Sequence, residues 1–129
     1  MVTTTPLAAL LYSPIVRRAL REDLGRAGDI TSDAIIPEST MVEARIVARR
    51  QGRIAGGEVA IAAFHELDSS IEARTAVSDG GTVGAGDVLI HVNGPARTIL
   101  SAERTALNFL GHLCGIATLT DTYVQAVEG

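Results

Sequence analysis

The sequence contains no lysine: all 11 basic residues are arginine. That absence removes Schiff-base chemistry, the phosphate-loop lysine, and any lysine-linked lipoyl or biotinyl carrier function. Tryptophan is also absent and aromatics make up 3% of the chain, so a core drawn from the 47% hydrophobic residues must be aliphatic. One cysteine, Cys114, excludes an intramolecular disulfide and fits a reducing compartment. Its apolar setting, LGHLCGIA, favours a small buried hydrophobe over a nucleophile. No apolar run reaches the roughly 18 residues of a membrane span. The N-terminus has no basic stretch ahead of its short apolar segment, so no signal peptide is read. A formal net charge of −4 argues against a nucleic-acid partner, which would bring a basic patch. A cytoplasmic location is the default expectation.

What is present is one domain's worth of alternating patterns within 129 residues. Ser13-Pro14 reads as N-cap and first helical residue, with Ile15, Val16, Ala19, Leu20 and Leu24 at helical spacing and Gly25 as C-cap. Residues 25–40 read as a long loop, in which Asp29, Thr31 and Asp33 suit turns and caps better than a cation site. From Met41 to Arg50, Val42, Ala44, Ile46 and Ala48 alternate with Glu43, Arg45 and Arg49, a half-buried strand. A short strand near Arg53–Ala55 leads to a helix from Glu58 to Leu67, with Val59, Ala62, Ala63, Phe64 and Leu67 inward. Ile71 to Val77 is another strand.

Gly80, Gly81, Gly84 and Gly86 invite a nucleotide-loop reading, but the segment after them, DVLIHV, is a strand and not a helix. They are turn glycines. The run DGGTVGAGDVL also looks like the turns of biotinyl and lipoyl domains, which without lysine speaks to fold alone. From Pro95 onward the chain is helical, with Gly115 expected to break it into two helices, to Leu113 and from Ile116 to Val127. The composite is α+β: a small antiparallel sheet flanked by helices, hammerhead or barrel-sandwich-like, followed by a helical arm. His65, His91 and His112 share no metal-ligand spacing, and no metal site is expected.

The segment SAERTALNFLGH carries the chemistry. Ser101, Arg104, Thr105, Asn108 and His112 fall at offsets 0, 3, 4, 7 and 11 and share one helix face among aliphatic neighbours. A polar stripe of this kind is costly to bury unpartnered, so it must face water, a partner subunit or a ligand. Its one permanent cation is Arg104; Glu103 lies about 100° round the helix, off the stripe. An arginine fork among neutral donors suits a carboxylate or phosphate; the plain alternative is an ion pair with an acid elsewhere in the fold.

Taken in order, LREDLGRAGDIT, ARRQGRIAGGEVA and GPARTILSAERTALNFLGHLCGIATLT resemble quinolinate phosphoribosyltransferase, over residues from about 15 to the end. Nicotinate phosphoribosyltransferases and a molybdenum-transport-associated homologue share the general N-terminal fold and are the near alternatives. The resemblance implies transfer of quinolinate onto phosphoribosyl pyrophosphate, with magnesium present and loss of pyrophosphate and carbon dioxide, giving nicotinate mononucleotide. It implies an active site in a C-terminal α/β barrel that is absent from these 129 residues. It further implies a homodimer in which this domain covers the partner's barrel, and Arg104 gripping a quinolinate carboxylate. On this view residues 1–113 are a substrate-lid and dimerisation domain and 114–129 a helical linker. No catalytic residue is expected in these residues, and they should be inactive alone. A reading of another class is a free-standing interaction module whose apolar arm assembles with a partner.

Overall fold

A computed structural model describes the backbone of residues 8–27 and 36–128, and the side chains of residues 8–25 and 36–120. The elements run α1 (Ala9–Ala27), β1 (Met41–Val47), β2 (Gly52–Arg53), α2 (Gly57–Leu67), β3 (Glu72–Thr75), β4 (Thr82–Val83), β5 (Val88–Pro95) and α3 (Ala96–Glu128). The α+β class expected from the sequence is the observed one. Strands β1, β5 and β3 form an antiparallel sheet with β5 in the middle, and β2 pairs antiparallel with β4.

Alternation sets the sheet. Val42, Ala44 and Ile46 turn inward along β1, while Glu43 and Arg45 face out. On the outer face the register lays Glu43, Asn93 and Glu72 in one row and Arg45, His91 and Arg74 in the next. The ladder shifts between Ile46 and Val47, so β1 ends three residues short of the expected Arg50. Ala48 continues inward, donating to the Asp87 carbonyl and accepting from Gly86 N–H. Gly80 and Gly86 take positive φ (89° and 87°), which places both in turns, as the pattern required.

The core is aliphatic as composition demanded, with Phe64 the sole aromatic in it among the described residues. Val16 and Leu20 enter it from α1; Val59, Ala60, Ile61, Ala63 and Phe64 from α2; Ile90 and Val92 from β5. Ile99, Ala102, Ala106 and Leu110 enter from α3, at the helical repeat. Ala60 and Ile61 are buried beyond the inward set expected for α2, because that helix lies between α1, α3 and the sheet.

Two helix boundaries differ from the sequence reading. α1 begins at Ala9, so Pro14 lies inside the helix rather than at its first position, and Gly25 lies before its end rather than capping it. Ala9, Leu10 and Leu11 are good helix formers. In an α-helix the N–H that Pro14 lacks would have met the Leu10 carbonyl, so one bond near the N-terminus is forfeited. α3 runs unbroken through Gly115. A mid-helix glycine costs about 1 kcal/mol, and contacts on both sides of it hold the helix. Cys114 Sγ accepts from Ala55 N–H at 3.3 Å, and Thr118 Oγ1 accepts from Arg53 N–H at 2.9 Å. The loop assignment for Asp29, Thr31 and Asp33 lies outside the described residues.

The α2 N-terminus is closed by a neighbour. Asp79 accepts from Gly56 N–H (3.1 Å) and Gly57 N–H (3.3 Å), placing a carboxylate where helix N–H groups lack partners. Gly56 there has φ 84°, and a Cβ on it would collide with the Leu113 side chain. Gly56→Ala is therefore expected to lower stability by more than about 1 kcal/mol, read as a shifted urea midpoint. An unchanged midpoint would mean the α2–α3 approach is looser than described.

Candidate functional site

α1 and α3 frame the site. α1 is docked by buried Val16 and Leu20 and by a two-point ion pair to α2. Arg17 Nε donates to Glu66 Oε2 at 2.9 Å and its Nη2 to Oε1 at 3.3 Å. α3 presents the polar stripe one step round from its buried seam of Ile99, Ala102, Ala106 and Leu110.

The stripe divides. Ser101 donates to the Arg97 carbonyl at 2.9 Å and lines a cleft of about 600 Å³ with Arg97, Asp68 and Glu38. Thr105 is buried, at 4% exposure. Arg104, Asn108 and His112 are exposed and, with Thr105, line a groove of about 370 Å³ whose opposite wall is Ala19, Glu22 and Asp23 of α1. The expected shared face thus resolves into an exposed trio, a buried Thr105, and a half-buried Ser101 that opens on the other cleft.

Arg104 has an acid beside it, as the alternative reading allowed. Its Nε is 3.6 Å from Asp23 Oδ1, with the Arg104 side chain 73% exposed and Asp23 26% exposed. That distance exceeds a hydrogen bond, and an exposed pair of this kind contributes about 0–1 kcal/mol. A bonded charge pair contributes more, about 1.5–3 kcal/mol. Asp23 therefore offsets the charge of Arg104 without consuming its donors. Glu22, on the same wall, is held by Arg18 at 3.5 Å across one helical turn.

The remaining candidate groups are structural. Cys114 is half buried, its Sγ bonded to both Ala55 N–H (3.3 Å) and Ala55 carbonyl (3.4 Å), and burial pushes its thiol above the ordinary range. That is the environment of a packed cysteine rather than a thiolate nucleophile. His65 Nε2 bonds the Ile71 carbonyl at 2.9 Å, and His91 sits on the outer face of β5. Among the described residues no three His, Cys, Asp or Glu side chains converge as a metal site, and no helix is long and apolar enough to cross a membrane. Sequence reasoning missed Asp23, although it lies in the EDLG run; nothing local identifies its partner on α3.

Solved structures give the class: this α+β body with its arginine-bearing helical arm matches part of a nicotinate-nucleotide pyrophosphorylase. The structure superposes on NadC from Streptococcus pyogenes with TM-score 0.92 and 31% identity, covering 98% of this chain and 45% of that one. It matches the nicotinate-nucleotide pyrophosphorylase from Francisella tularensis with TM-score 0.87 and 30% identity, over 99% of this chain and 45% of that one. Residues 29–114 match the model of the quinolinate phosphoribosyl transferase N-terminal domain, and the chain belongs to that family. By sequence it is 42% identical over 116 residues to the nicotinate-nucleotide pyrophosphorylase [carboxylating] of Mycobacterium leprae. It is 39% identical over 114 residues to a quinolinate phosphoribosyltransferase [decarboxylating] of Nicotiana glauca. It spans 41% and 33% of the lengths of those two relatives, in each case with 88% of its own length.

The docking of α1 gives a pH test. The Arg17 hydrogen bond holds the Glu66 carboxyl below its ordinary range. A depressed folded-state value stabilises the fold above the ordinary carboxylate pKa and is lost as pH falls through the folded one. The stability advantage of the wild type over Glu66→Gln, measured by urea unfolding, should be present at about pH 6 and shrink toward about pH 3. A constant difference across that range would remove the ion pair from the account of how α1 is held.

Proposed function

We propose that this chain is the substrate-capping and dimerisation domain of a carboxylating nicotinate-nucleotide pyrophosphorylase. The full protein would join quinolinate to phosphoribosyl pyrophosphate and release pyrophosphate and carbon dioxide. Residues 1–113 would be the capping domain and 114–129 the start of the link to a C-terminal barrel, although α3 itself is continuous across that boundary. The observation that carries the reading is Arg104: an exposed guanidinium on a rigid helix, at the rim of a groove, with only a loose ion pair to its Nε.

Arg104 would grip one carboxylate of quinolinate from across a homodimer interface. A planar fork meeting a planar carboxylate at two points fixes orientation as well as charge. Asn108 and His112 line the same groove and carry no assigned role here. Magnesium would arrive with the phosphoribosyl donor on the barrel, and no step is assigned to it in this domain. The domain alone should then be inactive, and a cytoplasmic location is part of the same proposal.

The alternative, a free-standing assembly module, draws on exposed Leu107, Ile116 and Leu119 along α3. The identities at 38–42% with quinolinate-using relatives favour the enzyme reading. In the full-length protein, Arg104→Ala should weaken quinolinate binding by more than about 1 kcal/mol, measured as quinolinate-dependent carbon dioxide release. Unchanged quinolinate dependence would sink the role of Arg104. No release from a folded full-length protein would sink the reaction.

A further inference from the structure

The two sequence segments that distinguish this chain, Glu22-Asp23-Leu24-Gly25 and Ala102-Glu103-Arg104-Thr105, meet in space at one contact. Asp23 Oδ1 lies 3.6 Å from Arg104 Nε, across the groove between α1 and α3. We propose that Asp23 is a positioning residue for Arg104: it faces the Nε edge of the guanidinium and leaves the two-nitrogen Nη edge turned to an incoming planar carboxylate. This rests on the reading of Arg104 given above and adds the group that aims it.

A guanidinium carries five N–H donors in one plane, and either edge can meet a carboxylate at two points. Asp23 makes its approach at Nε, and no hydrogen bond to Arg104 is present among the described residues. One edge is thereby assigned and the other remains for a ligand.

Two other cations of α1 have acids of their own: Arg17 pairs with Glu66 and Arg18 with Glu22. Asp23 sits on a docked helix and is 26% exposed, whereas the Arg104 side chain is 73% exposed. The acid is thus the better-fixed member of the pair. A long side chain that loses up to about 2 kcal/mol of rotamer freedom on binding gains from being partly ordered beforehand. Competition between Asp23 and the ligand is the opposite outcome. Two features weigh against it: the separation is beyond hydrogen-bond range, and the contact is at Nε rather than across the Nη pair.

The test is a double-mutant cycle in the full-length protein, with Asp23→Ala, Arg104→Ala and both together, read as KM for quinolinate, KM for phosphoribosyl pyrophosphate and kcat. Asp23→Ala should raise the quinolinate KM about threefold to fivefold, the scale of a partly exposed ion pair, with the other two constants little changed. On the Arg104→Ala background it should add nothing, and Asp23→Glu should restore part of the loss. If Asp23→Ala fails to fold, Asp23→Asn supplies the same cycle with the shape kept. A lowered quinolinate KM in the Asp23 variant would show competition and overturn the proposal, as would an effect that persists in full on the Arg104→Ala background. An Arg104→Ala protein with an unchanged quinolinate KM would overturn the earlier reading of Arg104, and this one with it. The remaining pattern, Arg104 sensitive and Asp23 silent, would overturn this inference alone.

Discussion

The arrangement depends on how closely α2 and α3 can approach. Ala60 and Ala63 on α2 and Ala102 and Ala106 on α3 are all fully buried in one core cluster, on the two helices that share the most extensive helix–helix contact. Small side chains let helix axes come together, and Gly56 at the start of α2 allows Leu113 to close over it. That approach fixes the rotation of α3. Once Ala102 and Ala106 face inward, Arg104 must face out and Thr105 must lie at the boundary, because about 100° separates successive residues. The site is therefore registered by alanines rather than by its own polar groups.

The same constraint explains which features were legible in the sequence. Patterns carried by one element survived: the alternation along β1, the turn glycines at 80 and 86, and the inward face of α2. Arg104 was conspicuous as the one permanent cation of its stripe, and the structure leaves that side chain exposed. What failed was whatever another element decides. Gly115 is a local helix breaker, yet α3 continues because Cys114 and Thr118, on either side of it, are tied to the β2 segment some sixty residues earlier, at Ala55 and Arg53. Pro14 reads as a helix start until the turn before it is seen to be helical as well. Asp23 could not be paired with Arg104 from spacing alone, because the contact exists only after both helices have docked on α2.

A stripe that is polar in sequence is also not a single surface. Ser101 and Thr105 have spacing that groups them with Arg104, but their short hydroxyls can turn back toward the helix or the core at little cost. A guanidinium cannot, since burying it requires a fully bonded partner that the core does not contain. Side-chain length thus divides the face that periodicity alone would treat as one, and leaves Arg104, Asn108 and His112 as the exposed set.

Charge places a further limit on what the groove can do. Asp23 offsets Arg104 and Arg18 offsets Glu22, so the groove has little net attraction for an anion, and the chain as a whole carries −4. Long-range steering of a dicarboxylate toward this domain is therefore unfavourable. On the proposed reading the domain contributes geometry instead: a two-point contact that discriminates orientation only after other cations have drawn the substrate in. A capping element with little field of its own has a physical advantage. A free anion gains little from binding to the cap alone, and the Arg104 contact adds to affinity chiefly when the substrate is already seated, which ties recognition by this domain to an occupied site elsewhere.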